Sequence, residues 1–81
     1  DHKKGAKYCE DAIKIFKECS LTNHPMMATA QNNMGQVFIN MKKKSDAEKY
    51  FKIALEIGKQ VLPKNHPDLE QYKKNHAMSK L

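Results

Sequence analysis

Four histidines, two cysteines, and lysines mixed with carboxylates are the residues of this chain with the types to do chemistry. His2, His24, His66 and His76 show neither His-x-x-x-His nor His-Glu-x-x-His spacing, the arrangement that places two metal ligands on one helix face. Two of them, His24 and His66, instead stand before Pro25 and Pro67. The residue before proline is pushed into extended backbone and proline suits a first helical position, so these histidines read as punctuation at helix starts. Cys9 and Cys19 lie ten residues apart. That is about 15 Å along a helix, beyond the reach of a disulfide, and no Cys-x-x-Cys is present. They read as reduced, packed thiols of a reducing, cytoplasmic compartment. There is no glycine-rich phosphate loop and no arginine to clamp a phosphate, and the acids are scattered among lysines. The chain reads as no enzyme, with no metal or cofactor expected.

What must position such residues is small. Eighty-one residues, 40% hydrophobic and 30% charged with net charge +6, make one domain whose core needs very regular packing or association to be stable. No run of 18 apolar residues occurs and none lies near the start, so neither a membrane span nor a signal peptide is expected. Three Gly and three Pro are too few for a turn-rich β chain, while Ala, Leu, Met, Lys, Glu and Gln favour helix. The expectation is an all-α fold.

Self-comparison supplies the organisation. Asn23-His24-Pro25 recurs as Asn65-His66-Pro67, a shift of 42 residues that also pairs Lys7 with Lys49, Tyr8 with Tyr50, Ala12 with Ala54, Ile15 with Ile57 and Lys17 with Lys59. Within one unit, Ala30, Met34, Val37, Phe38 and Met41 form one helical stripe, with Lys42, Lys43 and Lys44 closing that helix. Ser45 and Glu48 have the spacing of a capping box for a second helix with the stripe Ala47, Tyr50, Phe51, Ala54, Gly58 and Val61, flanked by Leu55 and Leu62. Cys9, Ala12, Ile13, Phe16 and Cys19 repeat the second helix before it, and 67–81 repeats the first. Four helices near 3–20, 25–41, 45–62 and 67–81 are predicted in antiparallel pairs. The domain 1–81 then comprises an incomplete repeat at 1–23, a complete one at 24–65, and a further first helix or polar terminal cap at 66–81, where Ser79 and Lys80 replace Val37 and Phe38. The start within a helix suggests an excised piece, and the polar cap a parent that ends near here.

The complete unit resembles the tetratricopeptide repeat, an α-solenoid unit. Met34-Gly35, Phe38, Ala47, Phe51 and Ala54 stand where that repeat has its Leu-Gly pair, aromatic, Ala, Phe and Ala. The 42-residue period, Asn32-Asn33-Met34-Gly35 and the Asn-His-Pro between units resemble more particularly the repeats of kinesin light chains and nephrocystin-type proteins. The chain departs at Gln31, where many repeats carry Trp, at Gly5 in place of the Ala matching Ala47, and at Lys59, where shorter repeats have Pro. Phe16 standing at the position of Gly58 predicts that the two second helices meet their neighbours differently.

The resemblance implies a non-enzymatic protein-interaction scaffold whose first helices line a concave surface. On 25–41 that face is Thr29, Asn32, Asn33, Gln36 and Asn40, and on 67–81 it is Gln71, Lys74, Asn75 and Met78. In the kinesin light chain group the Asn matching Asn33 and Asn75 hydrogen-bonds a bound peptide's backbone, work that suits an amide able to donate and accept. The alternative is that these amides are solvated or cap turns. Lysines beside this face favour an extended, acidic peptide. A second function is self-assembly: a neighbouring copy completes the half-repeats through open, apolar ends, as a homo-oligomer or by domain swapping. Nucleic acid ranks low, since +6 is unsupported by arginine or clustered aromatics.

Overall fold

A computed structural model describes residues 2–81. They form α1 (His2–Glu18), α2 (Pro25–Asn40), α3 (Lys44–Val61) and α4 (Pro67–Ser79), each packed on its neighbours in chain order. The architecture is the expected all-α, tetratricopeptide-type stack, with boundaries moved by one or two residues.

The helix ends explain the shifts. His24 and His66 are N-caps as well as spacers, for His24 Nδ1 accepts the Met26 N–H at 3.1 Å and His66 Nδ1 accepts the Asp68 N–H at 3.0 Å. Pro25 and Pro67 follow at the first helical position, where a missing N–H costs nothing. The expected capping box at Ser45 and Glu48 is not formed: α3 already begins at Lys44, the residue before it is Lys43, and no side chain caps it. Two of the three lysines close α2 through backbone N–H groups, with no basic side chain in its last turn. That helix ends at Asn40, and Lys42, at φ 62°, donates to Ile39 O at 2.9 Å while Lys43 donates to Phe38 O at 2.8 Å. These two bonds are the Schellman pattern, with lysine in the left-handed position that glycine prefers. Ser20, at φ 60°, ends α1 likewise, with Ser20 N to Lys17 O at 3.1 Å and Leu21 N to Phe16 O at 2.8 Å. By contrast α3 runs into extended Leu62 and stops at Pro63.

The core follows the apolar stripes. Ala28, Ala47 and Ala54 are wholly buried, and Met34 and Phe51 are the largest fully buried side chains. Gly35 is needed by geometry, because a Cβ there would lie 2.6 Å from the Phe51 ring. This is small against large at the crossing of α2 and α3. Phe38 and Tyr50 stack beside it with ring centroids 5.3 Å apart. One stripe expectation needs correction. Cys19 is exposed, since α1 has ended and the chain is already turning, whereas Cys9 is buried. Gln31 is 3% exposed, packed into the core side of α2 with its Oε1 buried and unpartnered. Among the described residues no helix is long and apolar enough to cross a membrane.

Candidate functional site

The amide-bearing face is built by α2 and α4, the two first helices of the repeat, which run in the same direction on one side of α3. At 3.6 residues per turn, Thr29, Asn32, Asn33, Gln36 and Asn40 lie within about 100° of arc on α2, opposite the Gln31, Met34 and Phe38 side. Thr29, Asn33, Gln36 and Asn40 are exposed and Asn32 is half-buried; on α4, Gln71, Lys74 and Met78 are exposed and Asn75 is half-buried. The two rows meet. Asn75 Nδ2 donates to Asn32 Oδ1 at 2.9 Å, and Gln71 Nε2 donates to Asn75 Oδ1 at 2.9 Å. Gln36 Nε2 donates to Asn40 Oδ1 at 3.4 Å, and the Thr29 hydroxyl lies 3.3 Å from both Pro25 O and the Tyr72 hydroxyl.

Asn33 and Asn75, equivalent in the repeat, are therefore not equivalent in space. Asn75 has its oxygen and one N–H engaged by protein, while Asn33 has no side-chain hydrogen bond. Five of the nine residues border two separate clefts, and Asn32, Asn40, Gln71 and Lys74 border neither. Thr29 and Asn33 border one of about 380 Å³ with Tyr8, Cys9, Phe16 and Met26. Gln36, Asn75 and Met78 border one of about 350 Å³ with Ile39, Lys44 and Leu81. Sequence reasoning named Met78 but not the other apolar members as site residues, because a single-helix pattern does not show which residues of a neighbouring helix line the cleft. A third cleft of about 700 Å³ lies on the opposite side of α2, between α1 and α3, with Gln31, Met34, Phe38 and Tyr50 along it.

The electrostatics offer no poised nucleophile. Burial, and secondarily the Glu10 carboxylate, push the Cys9 thiol up, so it stays protonated at neutral pH. His76 occupies the position of Met34 in the repeat, and its Nε2 is buried without a hydrogen-bond partner. Burial first, then the charge of Lys80, holds its pKa below the ordinary value, with Lys52 adding to the shift and Glu48 and Glu56 opposing it. Among the described residues no group of three His, Cys, Asp or Glu could hold a metal ion. What the face can do is exchange hydrogen bonds with a polypeptide backbone, since amide side chains donate and accept at once.

The open ends differ. α1 presents Tyr8 and Ile15 at 77% and 58% exposure, with Met26 beside them on α2. At the other end the positions that would face a following helix hold Lys73, His76, Ala77 and Lys80. The first is an apolar face and the second a polar one.

No curated protein matches the chain. The family model of the tetratricopeptide repeat matches residues 1–77, nearly the whole of it. Repeats of this family are non-enzymatic and generally mediate protein–protein interaction. With helix pairs, a glycine under an aromatic ring, and a 42-residue internal period in agreement, the chain belongs to the tetratricopeptide repeat family.

Proposed function

We propose that this chain is a protein-interaction module of the kinesin light chain-like kind, cytoplasmic, that receives an extended acidic peptide along the amide rows of α2 and α4. The observation that carries the reading is the unequal use of the amides. Asn32, Asn75 and Gln71 bind one another and fix the spacing of the two helices, while Asn33 presents an unused donor and acceptor beside an apolar cleft. A preorganised row next to a free amide suits a peptide strand, whose backbone alternates the two functions. The unpaired cysteines agree with a reducing compartment.

The test is a titration of wild type, Asn33→Ala and Asn75→Ala with a panel of acidic peptides at two salt concentrations. Asn33→Ala is expected to cost about 1–3 kcal/mol of affinity with stability unchanged. Asn75→Ala is expected to cost affinity and also about 1 kcal/mol of stability, because it breaks the link to Asn32. Equal affinities for all three proteins would end the reading.

The second reading, self-assembly, is favoured by one observation, the exposed Tyr8, Ile15 and Met26 on the α1 side. The polar far end makes head-to-tail stacking unfavourable, so association is expected through the α1 face alone. Ile15→Lys should then abolish concentration-dependent sedimentation, and a chain that stays monomeric at millimolar concentration rejects this reading.

A further inference from the structure

The antiparallel order brings the start of α1, the α2–α3 turn, and the end of α4 to one end of the stack. The Gly5 backbone lies against Val37, at 3.5 Å between an ideal Cβ and Val37 Cγ2, and Lys44 shares a cleft with Met78 and Leu81. The charge of the chain is gathered there. Lys3, Lys4, Lys7, Lys42, Lys43, Lys44 and Lys80 lie at this end, with Asp46, Glu48 and, one turn beyond Lys7, Asp11 as the carboxylates near them among the described residues. The opposite end is balanced, with Lys17, Lys59 and Lys64 against Glu18, Asp68 and Glu70. Lys7 pairs with Asp11 at 3.9 Å, but Lys4, Lys42, Lys43, Lys44 and Lys80 have no ion pair among the described residues. Among the described residues the seven lysines against Asp46, Glu48 and Asp11 leave a net charge of about +4 at this end, most of the chain's +6.

We propose that this lysine-rich end is an acidic-peptide docking surface, holding a run of Asp or Glu side chains while the rest of the ligand follows the amide rows. It rests on the peptide reading above and locates the charge recognition away from the amides. The end is continuous with those rows, for Lys44 borders the same cleft as Gln36 and Asn75. An extended strand rises about 3.3 Å per residue and points alternate side chains the same way, so nine residues span the 30 Å width and offer four or five carboxylates to five unpaired lysines. Lysine meets each carboxylate as a point charge. Nucleic acid fits less well, because the chain has no arginine to grip phosphate in a fork and neither the turn nor the end of α4 carries a Phe, Tyr or Trp ring for bases to stack on.

The experiment uses the full chain and a fluorescent nona-aspartate peptide, acetylated and amidated at its ends, in 0.15 M salt. K42Q/K43Q/K44Q is expected to weaken binding at least tenfold, and K17Q/K59Q/K64Q, which removes the same charge from the opposite end, less than threefold. K4Q/K80Q, which leaves the turn untouched, should weaken it by an intermediate factor, and amide shifts on titration should concentrate at residues 41–45 and 78–81. Equal losses for the two triple variants overturn the proposal in favour of bulk attraction. A nine-nucleotide oligothymidylate competing as well as the peptide overturns the choice of partner. Asn33→Ala measured alongside separates the two ideas: loss with Asn33→Ala but not with the lysine variants keeps the amide-face reading and rejects this one. Loss with the lysine variants alone does the reverse, and no binding of any acidic peptide rejects both.

Discussion

The joint between α1 and α2 and the joint between α3 and α4 are copies in the repeat, yet they are filled from opposite sides. In the first, Phe16 comes from α1 and packs on a core that contains Ala30 of α2. In the second, the matching residues are Gly58 of α3 and Tyr72 of α4, with a Cβ at Gly58 only 3.0 Å from the Tyr72 ring. The bulky residue has moved from one helix of the joint to the other. The repeat thus copies the space between helices rather than the residues in it, as close packing requires. The swap also changes the caps. Phe16 stacks on His24 with ring centroids 5.9 Å apart and planes at 13°, whereas His66, where Gly58 stands in place of Phe16, has no ring stacked on it among the described residues.

The sharpest way to break this comparison is Gly58→Phe, which puts an aromatic on both sides of the second joint. It is expected to destabilise by about 3 kcal/mol, at the upper end of overpacking. Tyr72→Ala alone leaves a cavity and loses the contact with Thr29, at about 3 kcal/mol. The double variant G58F/Y72A recreates the Phe16 and Ala30 arrangement, and urea unfolding should show it less destabilised than the sum by at least about 1 kcal/mol. Strict additivity would mean the two residues do not share one space.

A smaller effect sharpens the cap difference. His24→Ala and His66→Ala each remove an N-cap acceptor, worth about 1 kcal/mol. His24→Ala should cost about 0.5–1 kcal/mol more because it also removes the stack on Phe16. The excess should vanish in a Phe16→Leu background, as read from thermal melts.

The smallest effect concerns pH and compares the complete repeat, with Met34, to the copy with His76. A histidine whose folded pKa is depressed binds its proton more readily when unfolded, so its folded state is favoured above the unfolded value of about 6.5 and loses stability as pH falls below it. His76→Met should flatten the stability profile below about pH 6.5 relative to wild type. A profile with unchanged slope would show that this imidazole is solvated in both states.

Much of this was legible in the residues themselves. Apolar spacing locates all four helices, and the 42-residue shift makes the matching of Phe16 with Gly58 visible as an anomaly. Its resolution was hidden, because Ala30 and Tyr72 fill those spaces only once helices cross, and no periodicity says which residue lies opposite. The histidine caps were half legible: Asn-His-Pro marks the boundary, but Nδ1 acceptance depends on a ring orientation. Ser45 and Glu48 misled because α3 starts one residue early, with the Schellman turn at Lys42 setting its entry. The amide row was legible as a face. That Asn75 is engaged and Asn33 is free follows from where α4 lies against α2, which a single helix pattern does not contain.

Packing chiefly between helices adjacent in the chain, with the Asn32–Asn75 and Thr29–Tyr72 bonds joining α2 to α4 beside it, has a consequence for how the molecule comes together. With short loops and pairwise packing the mean separation of contacting residues is low, and such helical topologies assemble in microseconds to milliseconds. The α2–α3 hairpin, joined by three residues and sealed by Phe51 under Gly35, is the piece able to form first, with α1 and α4 adding from either side. Opening should run in the reverse order. Amide hydrogen exchange is therefore expected to be slowest in the middle of α2 and α3 and fastest in α1 and α4, so that the surface offered to a ligand spans one helix that persists and one that comes and goes.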